Sequence, residues 1–249
     1  MTLSVAFQMD LITDVNVESD TTFRLAEEAQ ARGHNIFHYL PNKLAFSSGR
    51  LVARGNKIKL DRYKPVHSVL EPEEVVNLER DFDVVWLRQD PPFNMAYLST
   101  TYLLEKIVPN TLVVNNPFWV RNFPEKLLVL KFPDLIPKTT ITSDFKTLLE
   151  FRESVGDIVL KPLYGNGGAG VFHVRTGDKN FSSLYELFSL YSNEPLIAQE
   201  FLSAVSNGDK RILLLDGEIL GAINRIPQSG EIRSNMHVGG VATKTILTK

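Results

Sequence analysis

The sequence predicts an α/β protein with an open parallel-sheet domain at its N-terminus and a differently textured region after it. Three observations carry this. The chain begins with a strand–helix–strand pattern, its texture changes after Pro117, and a glycine-rich loop in the later region stands between two segments that both read as strands.

"LSVAFQM" (3–9) is an apolar run of strand length. In "SDTTFRLAEEAQARGH", a cap at Ser19 or Asp20, helical spacing of Phe23, Ala26 and Ala29, and a stop at Gly33 predict a helix. "NIFHYL" (35–40) is the second strand, and "LAFSSGRLVARGNKIKL" (44–60) reads as short hairpin strands punctuated by Ser-Gly and Gly-Asn. "FDVVWLRQDPPF" is a buried strand with a polar, proline-stiffened tip, "MAYLSTTYLLEKI" a helix, and "TLVVNNP" a further strand. The acidic stretch "EPEEVV" reads as a solvated helix start and not as a metal site.

Beyond Pro117, "PEKLLVLKF" is a short helix, "DLIPKTTITS" leads into a strand, and "SDFKTLLEFRES" is a helix capped by Ser143. "DIVLKPL" and "GVFHVRTGD" are strands around the glycine loop, followed by the helix "FSSLYELFSLYS" and the strand "PLIAQEFL". "RILLLDGEILGAINRI" is a hairpin whose Asp216-Gly217 suits a tight primed turn.

The loop "LYGNGGAGVF" contains a literal G-x-G-x-x-G at Gly165, Gly167 and Gly170. A dinucleotide fingerprint must follow a strand and open a helix, so that the pyrophosphate rests on the helix N-terminus. Here "VFHVR" alternates β-branched and aromatic residues and opens a strand instead. No Gly-Lys-Ser/Thr follows, which excludes a Walker A loop. What remains is a hairpin whose backbone amides can fold over phosphate oxygens, with Lys161 just before it as a cation, or else an ordinary glycine-rich turn beside a surface lysine.

Composition narrows the function classes. A hydrophobic content of 43% and charged content of 22% are those of a globular protein, and a net charge of -2 gives no basic field for extended nucleic-acid binding. No apolar run approaches the roughly 20 residues of a bilayer span. The start "MTLSVAFQMD" lacks the basic region and cleavage site of a signal peptide, so a cytoplasmic location is expected. Without cysteine there is no disulfide, thiolate metal site or cysteine nucleophile. The five histidines are scattered, and His173, alternating within a strand, reads as structural.

Taken jointly, "DIVLKPLYGNGGAGVF", "AQEFL", "GDKRILLLDGE" and "RIPQSGEIRSNMHVGG" resemble the ATP-grasp ligases and, more narrowly, the bacterial glutathione synthetases. "QMD", "LRQDPPF", "NNP" and "EKL" agree with that family, so the resemblance runs along the whole chain. It implies a pre-ATP-grasp α/β domain over 1–120, an ATP-grasp lid subdomain with the glycine loop over 121–203, and the start of a C-terminal ATP-grasp subdomain over 204–249. The implied reaction is ATP-dependent joining of γ-glutamylcysteine to glycine through an acyl phosphate, with magnesium as the metal and a homo-oligomeric assembly. Two other readings share the lid: an ATP-grasp ligase for other amino acids or peptides, and an inactive nucleotide-binding module.

The resemblance also assigns residues. Lys126 and Lys161 match the family's phosphate-contacting lysines, and Gly165, Asn166, Gly167 and Gly168 its lid. Gln199, Glu200, Phe201 and Leu202 match the strand end whose backbone reads the adenine edge, the Phe201 and Leu202 side chains being core, and Asp209 lies near the ribose. Arg211 and Arg225 match the catalytic arginines that face the acyl phosphate. The stretch from Ile226 to Gly240 matches the mobile loop over the substrate, with Arg233, Asn235, Gly239 and Gly240 as contacts, and Asp10, Arg88 and Asp90 are candidates for holding the peptide. The family continues with an aspartate strand and a Glu-x-Asn segment that bind magnesium, whereas "VATKTILTK" after Gly240 contains no acid. The metal ligands are therefore expected in a C-terminal segment absent from this sequence. Residues 1–249 alone are expected not to ligate, and their last sheet to be left with an exposed edge.

Overall fold

The first apolar run forms strand β1 (Ser4–Gln8), which is buried on both faces. Ala6 enters one core, while Val5 and Phe7 enter the other. A strand sandwiched in this way needs apolar residues on both sides, which is why it reads as a continuous run. Helix α1 (Thr21–Ala31) follows, capped by Asp20, whose carboxylate accepts the Phe23 amide at 2.6 Å. It packs Phe23 and Ala26 against the second core. Strand β2 (Asn35–Tyr39) returns parallel to β1.

The computed structural model describes residues 1–247 and divides the chain into two compact units, Met1–Pro124 and Glu125–Lys249. In the first unit come β3 (Leu44–Ser47), β4 (Arg50–Leu60), β5 (Ser68–Leu70), β6 (Glu74–Asn77), α2 (Leu78–Asp81), β7 (Val84–Leu87), α3 (Met95–Glu105), β8 (Leu112–Val114) and α4 (Pro117–Asn122). The sheet order is β3-β4-β2-β1-β7-β8, with β5 and β6 also on β4. Strands β2, β1, β7 and β8 are parallel, while β4 runs antiparallel to β2. The expected parallel sheet is thus its centre, flanked by an antiparallel meander.

Two local expectations fail in that meander. Ser48-Gly49 does turn, with both φ angles positive, but β4 runs straight through Gly55-Asn56. Gly55 serves a close strand approach: a Cβ there would stand 2.2 Å from the His38 carbonyl oxygen. The acidic stretch is not a helix start, because Glu74 begins β6 on β4. Bases beside it attract it: Lys43, just before β3, lies 3.3 Å and Arg54 of β4 3.7 Å from Glu73, and Lys57 of β4 lies 3.1 Å from Glu74.

In the second unit, α5 (Glu125–Leu128) is followed by β9 (Thr139–Thr142), α6 (Phe145–Val155), β10 (Ile158–Pro162), β11 (Phe172–Val174), α7 (Phe181–Tyr191) and β12 (Leu196–Glu200). The four strands form an antiparallel sheet in the order β11-β10-β12-β9. One face of this sheet (Ile158, Leu160, Val174, Leu196, Ala198) packs on Leu148 of α6 and Phe181 of α7. Strands β13 (Asp209–Leu215), β14 (Glu218–Ile226) and β15 (Val241–Lys244) form a separate antiparallel sheet, with Asp216 and Gly217 both at positive φ in the first turn. Leu214, Leu215, Ile219 and Leu220 around that turn are exposed.

The cap of α6 is Asp144 and not Ser143: its carboxylate accepts both the amide and the hydroxyl of Thr147 at 2.7 Å. The Ser143 carbonyl instead accepts the Tyr185 hydroxyl. Asp144→Ala should lower the melting temperature by about 2–4 °C, and Ser143→Ala should leave it unchanged. The Thr147 bonds hold the Asp144 carboxyl below its ordinary range. The difference should therefore be full above the unfolded-state pKa and disappear as pH falls through the lowered one. Thermal melts at neutral pH and at pH ~2 read both effects.

Candidate functional site

Strands β10 and β11 pair as a hairpin, Ile158 opposite Val174 and Leu160 opposite Phe172, so the glycine segment is the loop of an antiparallel hairpin. The loop folds back over Pro162: a Cβ on Gly170 would come within 2.8 Å of the Pro162 Cγ. Gly168 has φ +85, and its missing Cβ leaves room for the Asn235 Oδ1, which would lie 2.8 Å from it.

Two lysines converge on this loop. The Lys126 ammonium, on α5, donates to the Gly165 carbonyl. Lys161 leaves β10 on the face opposite the core, because Leu160 beside it points inward. Its ammonium donates to the Gln199 Oε1 at 2.8 Å, and the Gln199 amide donates in turn to the Thr139 hydroxyl at 3.0 Å. Burial, with the nearby Lys126 charge adding to it against Glu125, holds Lys161 below the ordinary ammonium range. Two half-buried cations that oppose each other's charge beside a backbone loop are stabilised by an anion placed between them.

At the end of β12 the Glu200 amide donates to the Lys138 carbonyl and the Phe201 amide to the Asp157 carbonyl, both at 2.9 Å. The Leu202 amide has no partner among the described residues and is the backbone donor this strand end can offer. The Leu202 side chain is 53% exposed, so its expected core role is wrong: the chain has already left the sheet. Phe201 stacks on His173 with centroids 3.9 Å apart, and His173 is bonded to Asp157 at 3.0 Å. That histidine is occupied by packing.

On the three-stranded sheet Asp209 lies opposite Arg225. Their side chains form a two-bond fork, Nε to Oδ1 at 2.6 Å and Nη2 to Oδ2 at 2.7 Å. The two residues, read from sequence as serving different groups, are partners here. Arg211 is two residues along on the same face and is exposed.

The segment from Ile226 to Gly240 folds onto itself and onto the glycine loop. Arg233 donates to the Gly168 carbonyl at 3.3 Å and to the Glu231 carboxylate at 2.5 Å. The Arg233 bond and two backbone amides pull Glu231 down to about 2. The Asn235 carbonyl accepts from Val238 and from Gly240, and Gly239 takes the left-handed φ of +93. Ser234, just before this turn, is buried. Glu231 was not singled out from sequence; an acid two residues before an arginine was its available signal.

In the first unit, Asp10, Arg88 and Asp90 stand just past the C-terminal ends of the parallel strands β1 and β7, where open α/β sheets offer a crevice. The Asp10 carboxylate accepts the Asp90 amide at 2.8 Å, and Arg88 donates to the Thr22 hydroxyl at 3.0 Å. Beneath them is a polar cluster that sequence reasoning missed: Gln8 donates to Gln89 at 2.5 Å, and Thr100 to the same oxygen at 3.0 Å. Its signal was a glutamine near the end of each apolar strand. The Tyr97 phenol beside Arg88 and Asp90 is pushed up, chiefly by burial.

Among the described residues no three His, Cys, Asp or Glu side chains assemble as a metal site. No helix among them is long and apolar enough to cross a membrane.

Both halves of the chain match known proteins. Residues 3–121 match the prokaryotic glutathione synthetase N-terminal domain, and residues 125–249 the ATP-grasp domain of the same family. A glutathione synthetase of Agrobacterium fabrum is 54% identical over 98% of this chain and 76% of its own length. One from Brucella melitensis is 54% identical over 100% of this chain and 79% of its own. In fold, the crystal structure of D-cycloserine synthetase DcsG superposes with a TM-score of 0.62 at 15% identity, covering 98% of this chain and 76% of that one.

Proposed function

The chain belongs to the prokaryotic glutathione synthetase family, and from that premise we propose that it serves ATP-dependent joining of γ-glutamylcysteine to glycine. The observation that carries the reading is the convergence of Lys126 and Lys161 on the glycine loop. In this reading the two ammonium groups and the loop amides hold the ATP phosphates, and the Leu202 amide meets the adenine edge. Asp209 meets the ribose from within its fork with Arg225. The cysteinyl carboxylate takes the γ-phosphoryl group, and the amine of glycine then displaces phosphate from the acyl phosphate.

Arg211 and Arg225 supply positive charge where the acyl phosphate and the tetrahedral intermediate gather negative charge. The segment from Ile226 to Gly240 excludes water, with Arg233, Asn235, Gly239 and Gly240 facing the substrate. Asp10, Arg88 and Asp90 orient the peptide. ATP with magnesium is the cofactor set this reading requires, the metal being held largely by the nucleotide phosphates and water. The three-part division at about 120 and 203, a homo-oligomeric assembly and a cytoplasmic location belong to the same reading.

The complete gene product should release phosphate and form glutathione only when ATP, γ-glutamylcysteine and glycine are all present, read by mass spectrometry. Bond formation with D-alanine in place of these substrates would move the protein to another ATP-grasp ligase. ATP binding with no ligation of any pair would reduce it to a nucleotide-binding module.

A further inference from the structure

Strand β15 brings another cation to the face that carries the two arginines. Arg211 lies opposite Ile223, and Ile223 lies opposite Lys244; one pair along, Asp209, Arg225 and Ala242 form the parallel row. Side chains directly opposite one another in a sheet leave it on the same side, as do residues two apart on one strand. All six therefore share one face.

With strands spaced 4.7–4.9 Å apart, the Arg211 and Lys244 Cα atoms stand about 10 Å apart, with Ile223 between them. Arg225 is compensated by its fork with Asp209. Neither Arg211 nor Lys244 has an ion-pair or side-chain hydrogen-bond partner among the described residues, and both are exposed. The face thus presents two uncompensated cations across an apolar floor, beside a rigid arginine–aspartate fork.

We propose that Lys244 pairs with Arg211 to hold the phosphorylated carboxylate formed during the reaction. Long, flexible side chains on a ~10 Å base can close from both sides on a group carrying a phosphoryl and a carbonyl oxygen. Lysine supplies a point charge here, while the arginine fork fixes direction. The proposal rests on the reading that the chain makes an acyl phosphate.

Acetyl phosphate, a small acyl phosphate, is the probe, titrated into the protein and followed by phosphorus NMR. Lys244→Ala and Arg211→Ala should each weaken its binding by about three- to tenfold, while Lys244→Arg stays close to the parent protein. Lys210→Ala is the control, because Lys210 leaves β13 on the opposite face, across from Asn224. ADP affinity should not change in Lys244→Ala. No saturable binding of acetyl phosphate to the parent protein, no loss in Lys244→Ala, or an equal loss in Lys210→Ala would overturn the proposal. Failure of the parent protein to bind ATP, with the acetyl phosphate pattern intact, would overturn the ligase reading and leave the anion site standing.

Discussion

Lys161→Ala should weaken ATP binding by about 1.5–3 kcal/mol, the scale of a charge-assisted hydrogen bond, or roughly ten- to a hundredfold in affinity. The ammonium sits on the face of β10 opposite the core, held by Gln199, which is itself held by Thr139. This chain of bonds fixes where the charge stands before nucleotide arrives, so little ordering is left for binding to supply. The charge is also strained by burial and by Lys126, which an incoming phosphate relieves. A pH dependence follows. Only the protonated form attracts phosphate, and its pKa lies below the ordinary lysine range, so ATP affinity should fall with rising pH earlier than for an exposed lysine. Lys161→Arg should keep much of the affinity and abolish that fall, because a guanidinium does not deprotonate. Calorimetry across pH reads both. Affinity within about twofold of the parent protein in Lys161→Ala would remove the residue from the phosphate site.

What sequence could and could not show follows from the range of each interaction. The hairpin around the glycine loop was legible because its signals are local: a β-branched run before it, an alternating run after it, and no helix start. The cap of α6 was misread by a single position, since Ser143 and Asp144 are both good caps and only the geometry chooses Asp144. The strand break expected at Gly55 failed because a glycine can mark close packing as well as a turn, and the His38 backbone that decides it is 17 residues away along the chain.

The Asp209–Arg225 fork was hidden for a sharper reason. A regular hairpin grown from the Asp216-Gly217 turn would set Asp209 opposite Asn224. The register instead shifts between Leu213 and Leu214, where β14 holds one extra residue, and this brings Arg225 opposite Asp209. A slip of one residue exchanges the faces of a strand. Without it, Arg225 would share neither a face with Arg211 nor a fork with Asp209. No residue type announces such a bulge, so the fork of Arg225 with Asp209 was beyond a local reading of the residues.

Gly240→Ala should open the segment proposed to cover the substrate while leaving the nucleotide site nearly intact. A Cβ on Gly240 would stand 2.1 Å from the Ser234 carbonyl oxygen and 2.7 Å from its carbon, both of them backbone atoms. No rotamer can relieve that overlap, so the ring closed by the Gly240 amide on the Asn235 carbonyl must widen. Overpacking of this kind costs about 1–3 kcal/mol, enough to raise the open population roughly five- to a hundredfold. The substituted chain should therefore be cleaved within 226–240 at least about fivefold faster in limited proteolysis, with ATP affinity changed by less than about threefold. In the complete gene product, turnover should fall about ten- to a hundredfold and ATP hydrolysis without bond formation should rise, as water reaches the acyl phosphate. Parent-like cleavage together with parent-like turnover would mean that the ring relaxes without cost, and that 226–240 does not shield the reaction through this closure.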